Sequence, residues 1–175
     1  MRVLEHRRHS RRSAPDVHLN REGVELARRV APTLGRFDRV VTSPKPRAIE
    51  TAEALGFTVD AQLPQLGLMP DDADLSVDGA LPHSFADYAR LVARRESMRS
   101  YARGQAALMR RELERLPEGG RLLLVSHGEV IEFGAVAARP EEARNWGPSL
   151  HPLEGVRLTL DRGVWVQGEV LRVPK

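Results

Sequence analysis

Two histidines and two arginines carry the chemistry this chain can offer. Arg8-His9, Arg47 and His127 each stand where an apolar run gives way to polar residues. Val3-Leu4 leads into Arg7-Arg8-His9-Ser10-Arg11-Arg12-Ser13, Val40-Val41-Thr42 into Ser43-Pro44-Lys45-Pro46-Arg47, and Leu122-Leu123-Leu124-Val125 into Ser126-His127-Gly128. Short apolar runs of this kind read as strands. In open α/β sheets, ligands bind beyond the carboxyl ends of the strands. Lys45 and Arg47 open a helical stretch, where Asp or Glu is the usual choice. The place is either a solvent-facing basic turn or a phosphate receptor, because a helix start already attracts anions. Like charge from the neighbouring arginines disfavours protonation of His9, which leaves a neutral imidazole able to act as a nucleophile. The plainer alternative is one more exposed residue in a basic loop that also holds His6. His127 is equally compatible with a structural and a catalytic role, and Gly128 after it lets a ligand approach the backbone. Each signal is weak singly; their recurrence at three strand exits is what points to a site.

The elements that must position these residues can be read from periodicity and caps. Asn20 is an N-cap for a helix carrying Val24, Leu26, Ala27, Val30, Ala31 and Leu34, ending at Gly35. A second helix runs from Ala48 to Leu55 and closes at Gly56, and Phe57-Thr58-Val59 reads as a short strand. From Ala61 to His83 the chain is irregular, with Pro64, Pro70 and Pro82, which suits a long loop or lid. Ser84 and Asp87 form a capping box for helix extending to about Leu116, with a break near Gly104. Leu122–Val125 has the composition of a strand buried on both faces, and Glu129 to Ala138 resumes as helix. Val156–Leu160 and Val164–Gln167 alternate around Asp161-Arg162-Gly163, a hairpin signal. Strands alternating with helices predict an α/β layered domain with a largely parallel sheet.

Composition narrows the classes of function. The 175 residues, 41% hydrophobic and 29% charged, are enough for one globular domain spanning 1–175. With no cysteine, disulfide scaffolds, zinc–thiolate centres and cysteine nucleophiles are excluded. The net charge is only +3 although the sequence pI is about 9.9. Lys45 and Lys175 are the only lysines among 27 cationic residues. That arginine bias reflects either codon usage or a few ligand residues, since the guanidinium fork binds phosphate bidentately. Two Tyr, four Phe and two Trp leave few platforms for stacking bases, so no nucleic-acid partner is expected. Neither a signal peptide nor a membrane-length apolar run is visible, and a cytoplasmic protein with no membrane partner is expected.

Four segments, in order, resemble the histidine phosphatase superfamily, also called phosphoglycerate-mutase-like. They are Arg8-His9-Ser10, Leu19-Asn-Arg-Glu-Gly23, Ser43-Pro-Lys-Pro-Arg47-Ala-Ile-Glu-Thr51-Ala52 and Leu124-Val-Ser-His127-Gly128, spanning Met1 to about Ala138. The resemblance implies a three-layer sandwich, a central sheet flanked by helices. It implies that His9 attacks a phosphoryl group to give a phosphohistidine that water hydrolyses. Arg8 and Arg47 would hold the phosphoryl oxygens and His127 would stabilise the charge building on them, with no metal or cofactor. Phosphoryl transfer asks mainly for alignment and positive groups around three equatorial oxygens, which agrees.

Two departures from the family pattern matter. Ser10 replaces the usual Gly after Arg-His, and either narrows the pocket or adds a hydroxyl donor to bound phosphate. Leu63-Pro64-Gln65 occupies the Leu-x-Glu position of the general acid, and an amide cannot release a proton at neutral pH. Asp71, 24 residues past Arg47, is the candidate acid, with Asp72 and Asp74 beside it. The expected function is a phosphatase acting on a small phosphorylated metabolite or a phosphoprotein. Residues 61–116 are expected as a cap or lid inserted in the domain. A catalytically impaired phosphoanion-binding protein is the alternative reading, and a mutase is disfavoured.

Overall fold

The computed structural model describes residues 1–70 and 74–174. Strand β1 (Arg2–Arg8) is followed by α1 (Arg21–Val30), β2 (Arg39–Thr42), α2 (Pro46–Ala54) and the short β3 (Ala61–Gln62). Then come α3 (Phe85–Arg94), α4 (Glu96–Glu114), β4 (Arg121–Ser126), α5 (Gly128–Ala138), the four-residue α6 (Pro140–Ala143), β5 (Gly155–Asp161) and β6 (Val164–Leu171). All six strands form one sheet in the order β3-β2-β4-β1-β5-β6. The first four are mutually parallel, and β5 and β6 run antiparallel as a hairpin at one edge.

Alternation along β4 explains the three layers. Leu122 and Leu124 point to one face and pack with Leu4, Val41 and residues of α3, α4 and α5. Leu123 and Val125 point to the other and meet Val40 with Ala48 and Ala52 of α2. A continuous apolar run is the sequence form of a strand covered on both faces. α1 packs beside α2, burying Leu26, Ala27 and Val30. Among the described residues, no helix is long and apolar enough to cross a membrane.

Several boundaries correct the sequence expectations. β1 runs on through Arg8 instead of turning at Arg7, because Glu5 and Arg7 within it are paired inside the fold. Glu5, 1% exposed, accepts from Arg7 at 2.9 Å and meets Arg121 and Arg157 at 3.3 and 3.0 Å. His6 is a fully buried strand residue bonded to Ser126 Oγ at 2.6 Å, not part of a loop. The strand expected at Phe57–Val59 forms instead at Ala61–Gln62, since Phe57 and Val59 pack beneath the sheet and the first ladder pair is Val41 with Ala61. α1 ends at Val30 and passes into a 3-10 turn, Ala31–Thr33, carrying Pro32. The long helix breaks at Arg95, whose backbone is extended (φ −122°, ψ 121°), while Gly104 lies inside α4.

The capping box forms as read: Ser84 Oγ accepts from the Asp87 amide and the Asp87 carboxylate accepts from the Ser84 amide. Met98, Ala102, Met109 and Leu113 of α4, within the 61–116 stretch expected as a cap or lid, lie in the core.

Candidate active site

The carboxyl ends of three adjacent parallel strands build the site. Arg8 closes β1, Ser43 follows β2 and His127 follows β4. Their exits are tied laterally: the His9 amide donates to Ser126 O at 2.8 Å and the Ser43 amide to Val125 O at 3.1 Å. His9 and His127 are thereby brought together with ring centroids 5.3 Å apart.

Hydrogen bonds fix which nitrogen of His9 can react. Nδ1 lies 2.7 Å from the Ser10 carbonyl, which can only accept, so Nδ1 carries the hydrogen. Nε2 then holds a lone pair, and Arg47 Nε–H donates to it at 3.1 Å. Burial is the main cause that lowers the His9 pKa to about 4, with Arg47, Arg8 and Arg12 adding like-charge repulsion. The neutral imidazole expected from its arginine neighbours is present, but burial is its larger cause. His127 is lowered further, to about 2, again first by burial and then by Arg47, His9 and Lys45. Its Nε2 faces Ser43 Oγ at 2.8 Å, and its buried Nδ1 has no partner among the described residues.

Arg47 occupies the first turn of α2, with Lys45 as N-cap, Pro46 next and no acidic residue in that turn. The cationic helix start expected from the sequence is therefore formed. Arg8 is held on two sides. Its Nη1 donates to the Leu150 carbonyl, and its guanidinium lies 3.6 Å from where a Cβ on Gly128 would stand. Gly128 thus borders Arg8 at ordinary contact distance. The buried Nε of Arg8 has no partner among the described residues. Arg8, Lys45, Arg47 and Arg12 surround the two imidazoles, and among the described residues none of the four pairs with a carboxylate. A cleft of about 380 Å³ opens beside them, lined by Arg8, His9, Arg12, Asn20 and Pro152 among others. Such an arrangement can bind a phosphoryl group and present it to a neutral imidazole nitrogen.

The Ser10 hydroxyl has a partner within the fold. Ser10 is fully buried, its Oγ donates to the Gly23 carbonyl at 2.7 Å, and its amide donates to Thr51 Oγ1 at 2.9 Å. Its hydroxyl hydrogen is committed to α1, so the residue fastens the loop. Gln65 lies in the 3-10 turn Pro64–Gly67 and lines a different groove, with Tyr101, Gln105 and Leu108. Asp74 is exposed and pairs with Arg95 at 3.1 Å. Asp71 and Asp72 lie outside the described residues.

Sequence reading missed the supports. Thr51 Oγ1 accepts from Ser10 and donates to Arg47 O at 2.6 Å, joining the His9 loop to α2. Glu50 accepts from the Leu19 amide at 2.8 Å and pairs with His18. The one readable signal for these was the quoted Ala-Ile-Glu-Thr stretch itself. Among the described residues no three His, Asp or Glu side chains group as a metal site.

Residues 4–70 match the model of the histidine phosphatase superfamily (branch 1). A search of curated protein sequences found no match. Solved structures of similar fold include an Entamoeba histolytica phosphoserine phosphatase in complex with 3-phosphoglyceric acid. It is 17% identical with a TM-score of 0.69, covering 95% of this chain and 94% of that one. A Bacillus anthracis phosphoglycerate mutase is 16% identical (TM-score 0.66; 94% and 90% covered), and Bacillus stearothermophilus YhfR 19% identical (TM-score 0.65; 95% and 95% covered). The fold is phosphoglycerate-mutase-like.

Proposed function

We propose that this chain, whose residues 4–70 carry the pattern of the histidine phosphatase superfamily, is a phosphatase that works through a phosphohistidine on His9. The observation that carries the reading is the lone pair of His9 Nε2, fixed by the Nδ1 hydrogen bond to Ser10 and facing Arg47 at 3.1 Å. In the first half-reaction Nε2 attacks phosphorus, an N–P bond forms, and the P–O bond to the leaving group breaks. Water then attacks phosphorus, releasing inorganic phosphate and returning the electron pair to Nε2. Arg8, Arg47 and the Nδ1 of His127 stabilise the equatorial oxygens. Ser43 fits the role of holding the His127 ring so that Nδ1 carries the hydrogen.

Asp71 is proposed as the group that protonates the leaving oxygen. The stretch between β3 and α3 is proposed as the part of 61–116 that borders the substrate, since Gly67 packs against Ser43 and Lys45. A small phosphorylated metabolite is the favoured substrate class. The neighbouring phosphoserine phosphatase, crystallised with 3-phosphoglyceric acid, supports that choice by analogy of fold. Gln65 at the usual acid position favours one second reading, a phosphoanion-binding protein without turnover.

Phosphate release from p-nitrophenyl phosphate and from acetyl phosphate tests the proposal. His9→Ala is expected to lower kcat at least about a hundredfold with both compounds. A His9→Ala protein with the full rate would end the mechanism. Tight phosphate binding with no release from either compound would favour the second reading.

A further inference from the structure

α5 is almost wholly apolar, yet it buries one acid. Glu132, five residues after His127, is 1% exposed between Ile131 and Phe133, themselves fully buried. Its Oε1 accepts from the Leu150 amide at 2.9 Å, and its Oε2 is buried with no partner among the described residues. Leu150 is 1% exposed and its carbonyl accepts from Arg8 Nη1. Leu150 therefore meets Glu132 through its amide and the guanidinium of Arg8 through its carbonyl, on the two consecutive peptide units that its Cα joins. The segment carrying Leu150, between α6 and β5, has no helix or strand of its own.

We infer that Glu132 is a positioning residue for phosphoryl binding: through the backbone of Leu150 it holds Arg8 in the orientation that faces the phosphoryl group. The inference rests on the reading of Arg8 as a phosphoryl ligand. Packing alone does not account for Glu132, because an unpaired buried carboxyl oxygen is costly and an apolar side chain would fill the same space more stably. Nor does Glu132 neutralise Arg8. Burial is the main cause that raises its pKa, to about 8, so at neutral pH the side chain is chiefly the uncharged acid. Its contribution is geometric: a hydrogen-bond acceptor fixed on α5, the same helix whose Gly128 borders the guanidinium of Arg8.

A double-mutant cycle tests the coupling, read as the dissociation constant of inorganic phosphate and the KM of p-nitrophenyl phosphate. Glu132→Met, similar in size but without an acceptor, is expected to weaken phosphate binding about tenfold, with most of the kinetic loss in KM. Glu132→Gln, which keeps a neutral acceptor, restores most of that loss. In an Arg8→Ala background Glu132→Met adds little. An equal loss with and without Arg8, or unchanged phosphate affinity in Glu132→Met, would overturn the role while leaving the phosphatase reading intact.

The unmodified protein provides a measurement that does not depend on how the variants fold. Saturating phosphate is expected to slow hydrogen exchange at the Leu150 amide, because coupling between sites is reciprocal. Unchanged exchange with phosphate bound overturns the positioning role. Failure of phosphate to bind overturns it together with the reading of Arg8.

Discussion

In the proposed mechanism a histidine serves as phosphoryl nucleophile when one nitrogen is kept neutral and aimed; burial does the first for His9 and its backbone neighbour Ser10 the second. The Ser10 carbonyl at 2.7 Å accepts the Nδ1 hydrogen, and burial lowers the pKa to about 4. Nitrogen NMR at pH 7 is therefore expected to show His9 as the Nδ1–H tautomer, with Nε2 unprotonated. Its titration midpoint should lie near pH 4, and Arg47→Met should move that midpoint upward by removing a like charge, though not as far as the ordinary value of 6.5. A midpoint near 6.5 in the unmodified protein, or the opposite tautomer, would contradict the assignment. Ser10 teaches the converse lesson. Its residue type alone allowed a phosphate donor, whereas its hydroxyl is turned 13 residues along the chain to Gly23.

That Ser10–Gly23 contact belongs to the element scale, where loop and helix must approach closely. A Cβ on Gly23 would stand 2.1 Å from Arg11 O, so only glycine lets α1 lie against the loop that carries His9. Gly23→Ala should push the loop away, break the Ser10 bond, destabilise by about 1–3 kcal/mol in chemical denaturation, and lower turnover further than stability explains. Wild-type turnover in a fully folded Gly23→Ala protein would show that the approach has no part in the site. The same tight contact gives the Leu19–Gly23 segment a structural reason to accompany Arg8-His9 in the sequence. Elements with local signals were also legible. Asn20 accepts from the Gly23 amide as the N-cap of α1, Ser84 and Asp87 cap α3, and the run Leu122–Val125 lies buried on both faces. Elements decided by distant partners were not. The break at Arg95 has neither glycine nor proline to announce it, and β3 starts where Val41 offers a ladder partner. Glu132 and Leu150 meet across 18 residues through a backbone amide, a link that residue types do not encode.

Over the whole molecule, the groups that build the site also set how stability depends on pH. His6, His9 and His127 are buried and neutral, with pKa values lowered to about 3, 4 and 2 from 6.5. Below pH 6.5 the unfolded chain takes up protons at these positions that the folded protein refuses, so acid favours unfolding. The slope is on the order of 1.4 kcal/mol per pH unit for each histidine, until the folded value is reached. Glu132 acts in the opposite direction. Its pKa is raised from 4.5 to about 8, so the folded protein holds a proton that the unfolded chain has lost, and this stabilisation disappears as pH rises towards 8. Exposed His18, raised by its hydrogen bond to Glu50, adds a smaller loss of the same sign. Between pH 4.5 and 6.5 three histidines outweigh one acid and stability climbs with pH; above 6.5 the acid and His18 prevail and it declines. The stability of the unliganded protein is therefore expected to peak near pH 6.5. Denaturant titrations in phosphate-free buffer from pH 5 to 9 would show this, and a curve still rising at pH 8 would contradict it. Glu132→Gln separates the two limbs. An amide has no proton to lose, so the alkaline decline should flatten to what His18 contributes while the acid limb keeps its slope, and an unchanged alkaline limb would mean that Glu132 is already ionised at neutral pH.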